Sequence, residues 1–146
     1  MRHSAFILKL NIPLYMKVQV IVEKSLDGDY SCFVDHDFEH FGLAGYGDSV
    51  EEAKADLLVC YEDMKTLEAE EGREVPELEF IYKYDMQSFF NYFSYLNVTK
   101  IAEVAGINPG LMRRYTCGNI KAGEKQYARL RDAIHMITTE LSAATF

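Results

Sequence analysis

Between Lys17 and Lys24, Val18, Val20 and Val22 alternate with Gln19, Ile21 and Glu23, a period of two that predicts a strand with one strongly apolar face. Asp27-Gly28 marks a hairpin turn, because glycine accepts the positive φ that such turns require, and Tyr30 to Val34 returns as a second strand. A polar, acidic connection over Asp35 to Phe41 leads to Leu43 to Gly47, a short third strand rich in glycine from Gly42 onward, read as flexible backbone turning into a helix. That helix is marked by Ser49 and, three residues later, Glu52, a capping box in which each side chain satisfies an open backbone N–H of the first turn. Val50, Ala53, Leu57, Cys60, Met64 and Leu67 then recur at threes and fours, one apolar stripe reaching to about Glu71, and Gly72 stops it. Val75-Pro76 is extended, and Leu78, Phe80 and Tyr82 alternate as a last strand. Three strands, a helix and a strand predict a small α+β domain over residues 17–84.

From Asp85 onward the period lengthens to about 3.6, which sets a boundary near Tyr84-Asp85 and predicts an all-α domain over residues 85–146. Met86, Phe89, Phe90, Phe93 and Leu96 line one helix. Tyr127, Leu130, Ile134, Ile137 and Leu141 line another, with two very short helices between them. The aromatic group Phe89, Phe90, Tyr92, Phe93 and Tyr95 stands at helical spacing and is expected in the core. Residues 1–16 read as a leader or an extra edge strand, since Met16-Lys17 can serve as a start. The stretch Ala5 to Met16 is interrupted by Lys9, Asn11 and Pro13 and is shorter than the roughly 20 residues of a spanning helix. No small-residue cleavage site follows its basic beginning.

Composition adds the class. With 49% hydrophobic and 26% charged residues in 146, the chain can bury a core, which excludes a wholly disordered or collagen-like protein. Cys32, Cys60 and Cys117 are widely spaced and odd in number, as expected of buried thiols in a reducing compartment, the cytoplasm by default. The net charge of −8 is divided unevenly: residues 1–84 hold 8 Lys+Arg against 18 Asp+Glu, and residues 85–146 hold 7 against 5. Between Gly106 and Arg131, six bases (Arg113, Arg114, Lys121, Lys125, Arg129, Arg131) meet one acid, Glu124. A basic patch on an acidic chain implies two partners of opposite sign.

The segment Val98 to Cys117, VTKIAEVAGINPGLMRRYTC, has the spacing of a helix-turn-helix. Ala102 is small where two helices must cross, Gly106 lets the chain leave the first helix, and Asn108-Pro109 supplies an N-cap and a first-turn proline for the second. Ile101, Ala105, Ile107, Met112 and Tyr115 are apolar where the helices pack, and Gly118 ends the second. Gly110, Leu111, Arg113 and Arg114 are then left to face outward, where arginine can bond bidentately to guanine in the major groove. Thr99 in the first helix, Asn108 at the turn, and Lys121 and Lys125 beyond the second helix complete the expected DNA-binding set. One short recognition helix reads little DNA, so a homodimer or higher even oligomer on an inverted repeat is expected.

Two resemblances sharpen this. Ile107 to Gly118, INPGLMRRYTCG, is similar to the Cro and phage-repressor type of helix-turn-helix. GDYSCFV followed by FGLAGYGDSVEEAK resembles the HicB antitoxin family, in which a hairpin with Gly-x-Tyr precedes a glycine-rich strand and a helix opening with Glu-Glu-Ala. The family's Pro-Asp-Leu-Pro-Gly stretch is replaced here by Val34-Asp35-His36-Asp37-Phe38. The resemblance implies an N-terminal domain of partial ribonuclease H-like fold that masks a small basic mRNA-cleaving HicA-like toxin. It also implies a C-terminal domain that binds double-stranded operator DNA and represses its own operon. A stand-alone HicB-like transcriptional regulator is the alternative. No catalysis, metal or cofactor is expected: Asp27 and Asp29 read as hairpin residues, and His36 and His40 lie four apart on a stretch that reads as loop rather than helix. Cys117 reads as a small packing residue at a helix end.

Overall fold

A computed structural model describes residues 15–146. The expectation for residues 1–16 falls outside the described residues as far as residue 14, while Tyr15 and Met16 already belong to the first strand. The fold is α+β: a four-stranded mixed sheet and, among the described residues, five helices. The chain divides between Lys83 and Tyr84 into two compact units.

In the first unit, β1 (Tyr15–Lys24), β2 (Tyr30–Val34), β3 (Ala44–Gly47) and β4 (Glu77–Tyr84) lie in the order β3-β2-β1-β4, with α1 (Val50–Glu70) between β3 and β4 in sequence. β1 pairs antiparallel with β2 in a register that sets Val20 opposite Val34 and Lys24 opposite Tyr30; β2 pairs antiparallel with β3, Tyr30 opposite Gly47. Lys17, early in β1, reaches Glu79, early in β4, as a parallel neighbour does, and the Tyr15 hydroxyl donates to the same carboxylate. The hairpin connection runs from Ser25 to Asp29, with Gly28 at φ 95° and the Ser25 N–H donating to the Asp29 carbonyl at 2.7 Å.

The period of two puts Val18, Val20, Val22, Tyr30, Cys32 and Val34 on one buried sheet face, and α1 covers it with Val50, Ala53, Leu57 and Tyr61. Burying a side chain such as Leu57 contributes about 1.5–3 kcal/mol. The glycines of β3 have a reason the sequence did not disclose. A Cβ at Gly45 would stand 2.3 Å from the Ala53 carbonyl oxygen and the Leu57 nitrogen, so strand and helix meet backbone to backbone and only glycine fits. The Ser49 hydroxyl accepts from the Glu52 N–H at 3.1 Å, while the Glu52 carboxylate turns back to the Asp48 N–H at 2.8 Å.

The predicted stripe on α1 holds only for its first half. The buried set continues through Tyr61 and Glu68; Cys60 and Met64 are half-buried and Leu67 is 49% exposed. Threes and fours drift around a 3.6-residue helix over 21 residues, so a stripe chosen for hydrophobicity leaves the sheet before the helix ends. The buried Glu68 is held by Arg73, whose Nε and Nη2 donate to the two carboxylate oxygens at 2.6 and 3.2 Å, and this keeps the carboxyl below its ordinary range. Burial pushes the Cys32 thiol up to about 11, against the opposing pull of Lys54.

The second unit contains α2 (Met86–Tyr92), α3 (Val98–Ala105), α4 (Pro109–Thr116) and α5 (Glu124–Ala143). Met86, Phe90, Ile101, Ala102, Ile107, Met112, Tyr115 and Leu130 form its core. α2 is shorter than its aromatic stripe, closing at Phe93, and Tyr92 and Tyr95 stand exposed at 37% and 81%, which corrects their placement in the core. Tyr92 instead stacks on Tyr84. The α5 stripe likewise outruns its partners: Leu130 is buried and Ile134 and Ile137 pack against the core, but Leu141 is exposed. Among the described residues no helix is long and apolar enough to cross a membrane.

Candidate functional site

Asn97 opens α3 by accepting the Lys100 N–H at 3.0 Å, and Gly106 closes it in the left-handed region at φ 69°, with its N–H donating to the Ala102 and Glu103 carbonyls. The Ile107 N–H also returns to Ala102, at 2.9 Å, which folds Ile107 into the core. Asn108 then starts α4: its Oδ1 accepts from the N–H groups of Gly110 at 2.9 Å and Leu111 at 3.2 Å, and Pro109 fills the first helical position. Two eight-residue helices are thereby joined by a three-residue turn. Ala102 is fully buried, as close packing at the junction requires.

On α4, Met112 and Tyr115 are buried, and the 3.6-residue period sends Arg113 and Arg114 to the outside. Arg113 lies along the helix start, its Nη2 3.8 Å from where a Cβ on Gly110 would stand. Neither guanidinium makes an ion pair among the described residues. α4 ends at Thr116, with Cys117 as its C-cap and Gly118 at φ 77° directly after.

Of the predicted residues, Arg113, Arg114, Lys121 and Lys125 are exposed bases, Gly110 and Thr99 are half-buried, and Asn108 is exposed but occupied as a cap. Leu111 departs from expectation: it packs against the core and does not stand free, because the short α4 is tucked in on two sides. Cys117 is exposed and Cys60 half-buried, so only Cys32 of the three thiols is a buried one. Two other bases of the stretch are engaged. Arg131 pairs with Glu124 at 3.3 Å, and Arg129 donates from Nη1 to the Gly106 carbonyl at 3.3 Å, tying α5 to the turn. The patch is thus narrower than its sequence count of six.

The first unit presents the opposite sign. On α1 the two lysines lie over aromatic rings, Lys54 at 3.9 Å from the Tyr82 centroid and Lys65 at 4.5 Å from that of Tyr61. Glu51, Glu52, Asp56, Asp63 and Glu70 are left on the outside with exposed Leu58, Val59 and Leu67, while Glu62 pairs with Lys65 at 2.8 Å. Asp56 is engaged there, accepting the Tyr46 N–H at 2.9 Å. His36 packs edge-on to Phe38, and among the described residues no three His, Cys, Asp or Glu side chains group as a metal site. The chain matches no protein-family model, no curated protein and no solved structure.

Proposed function

We propose that the chain is a two-part cytoplasmic regulator of the antitoxin kind. Its C-terminal unit is a helix-turn-helix domain that reads operator DNA as a dimer, and its N-terminal unit masks a small basic mRNA-cleaving toxin. The observation that carries the DNA reading is the construction of α4. A capped, proline-started helix buries Met112 and Tyr115 and leaves the adjacent Arg113 and Arg114 exposed, directly after a left-handed glycine turn from α3. This arrangement suits entry of α4 into the major groove, with arginine at guanine O6 and N7. Lys121 and Lys125 follow on the same exposed stretch and serve phosphates.

The partner reading is supported by the acidic outside of α1, in which apolar Leu58, Val59 and Leu67 are set among carboxylates. Opposite fields steer encounter with a basic protein, and exposed apolar side chains supply area to bury once contact is made. The strand order and the helix on one sheet face also agree with the partial ribonuclease H-like fold implied by the HicB resemblance.

Selection of duplexes from a random pool by the full chain tests the DNA reading. An inverted repeat with half-sites roughly 34–36 Å apart is expected. Recovery of no enriched sequence would contradict it. Co-expression with any small basic protein encoded beside the gene tests the partner reading: the two should co-purify, and separate elution supports the stand-alone regulator.

A further inference from the structure

Gly110 is the second residue of α4, directly after Pro109, and it lies outside the left-handed region, so its backbone conformation does not require glycine. Glycine at a helical position weakens the helix relative to alanine, because it loses more conformational freedom on folding. What the position provides is the absence of a side chain, and two groups border the space that one would fill. A Cβ on Gly110 would stand 3.1 Å from Asn108 Oδ1, the cap that accepts the Gly110 N–H at 2.9 Å, and 3.8 Å from Arg113 Nη2. The second contact follows from helix geometry. Residues three apart share a face, and helical side chains lean towards the N-terminus, so Arg113 runs back over Gly110. Arg114 stands one residue further round the helix and does not share that path.

We propose that Gly110 is a specificity-determining residue, whose bare backbone gives Arg113 its path to the N-terminal end of α4 and so fixes which base pair Arg113 reads. The inference rests on the DNA reading of α4 and names what directs one of its two arginines. A recognition helix reaches base edges with its N-terminal residues, and an arginine laid back over the first turn brings its planar donors to that end. A methyl group at position 110 crowds the cap oxygen but meets the guanidinium only at ordinary contact distance. A longer side chain takes the space where the guanidinium lies, and the bidentate approach to guanine O6 and N7 is then lost.

This difference between a short and a long side chain supplies the test. Gly110→Ala and Gly110→Leu both add the Cβ that crowds Asn108, both residues form helix well, and only leucine carries atoms further out. Duplexes are selected from a random pool by the full chain and by each variant, and discrimination is then measured base pair by base pair. Gly110→Ala should keep the wild-type preference. Gly110→Leu should lose discrimination roughly tenfold at the base pair that Arg113→Ala also loses, and keep it at the base pair lost in Arg114→Ala. Added to Arg113→Ala, Gly110→Leu should change discrimination no further. A Gly110→Leu chain that keeps the wild-type preference, or that weakens on all duplexes alike, overturns this inference and leaves the DNA reading standing. A wild-type chain that enriches no sequence overturns both.

Discussion

The outer face of α1 and the outer face of α4 treat their charged side chains in opposite ways. On α1 Lys54 lies over Tyr82 and Lys65 lies over Tyr61 while pairing with Glu62, and the other carboxylates are left outside. On α4 the bases stand out, while Met112 and Tyr115 turn in. A net charge of −8 describes neither surface. A side chain's sign matters to a partner only if the fold leaves it exposed, and on α1 Lys54 is half-buried against the Tyr82 ring while Lys65 is taken up by Glu62 at 2.8 Å and by the Tyr61 ring. Even within the basic stretch the fold divides the labour: Arg129 holds the turn and Arg131 holds Glu124, and Arg113, Arg114, Lys121 and Lys125 stand exposed.

The strongest way to break the contrast is to remove what supports each face. Met112→Ala opens a cavity in the fully buried centre of the C-terminal unit and should cost about 2–5 kcal/mol of its stability, read as a lowered denaturant midpoint together with loss of DNA binding. In the N-terminal unit Gly45→Ala forces a methyl group against the α1 backbone. It should cost about 3 kcal/mol or more and shift the unfolding of that unit. If either variant unfolds at the wild-type midpoint, the packing described for its unit is wrong.

Much of this was legible in the sequence, for reasons that differ by region. The α3–α4 turn was readable residue by residue, because Gly106, Asn108 and Pro109 each act through local backbone geometry that needs no knowledge of the rest of the fold. β1, β2 and β4 followed from strict alternation. What failed depended on tertiary reach. Leu67 and Leu141 continue apolar stripes past the end of the surface that covers them, and Tyr95 lies beyond the end of α2. Leu111 sits on a helix short enough to be flanked by core on two sides. Asp56 reads as one more surface acid, yet it receives the Tyr46 N–H, a contact ten residues apart that no local pattern announces.

Smaller effects sharpen the contrast. Reversing two α1 carboxylates that make no ion pair, Glu51→Lys with Asp63→Lys, should slow association with a basic partner protein and leave DNA affinity at the wild-type value. Stopped-flow rates at two salt concentrations would read this; an unchanged rate would remove α1 from the interface. The Glu68–Arg73 pair gives the smallest effect and a pH signature. Arg73 lowers the Glu68 pKa in the folded chain, so the pair's contribution is complete above the ordinary carboxylate value of about 4.3 and is lost as pH falls through the lowered folded value. Arg73→Gln should therefore reduce stability at neutral pH and make the N-terminal unit less sensitive to acid. Parallel acid-unfolding curves for variant and wild type would contradict that assignment.

The central claim is that α4 reads base sequence while the neighbouring lysines read only phosphate. It is tested most directly by fluorescence anisotropy of the full chain on its selected duplex and on a scrambled one over a range of salt. Arg113→Ala and Arg114→Ala should each cost about 1–3 kcal/mol on the selected duplex and narrow its advantage over the scrambled one. Lys121→Ala and Lys125→Ala should weaken both duplexes alike and flatten the salt slope by about 1. Arginine variants that bind both duplexes at wild-type strength would contradict the account.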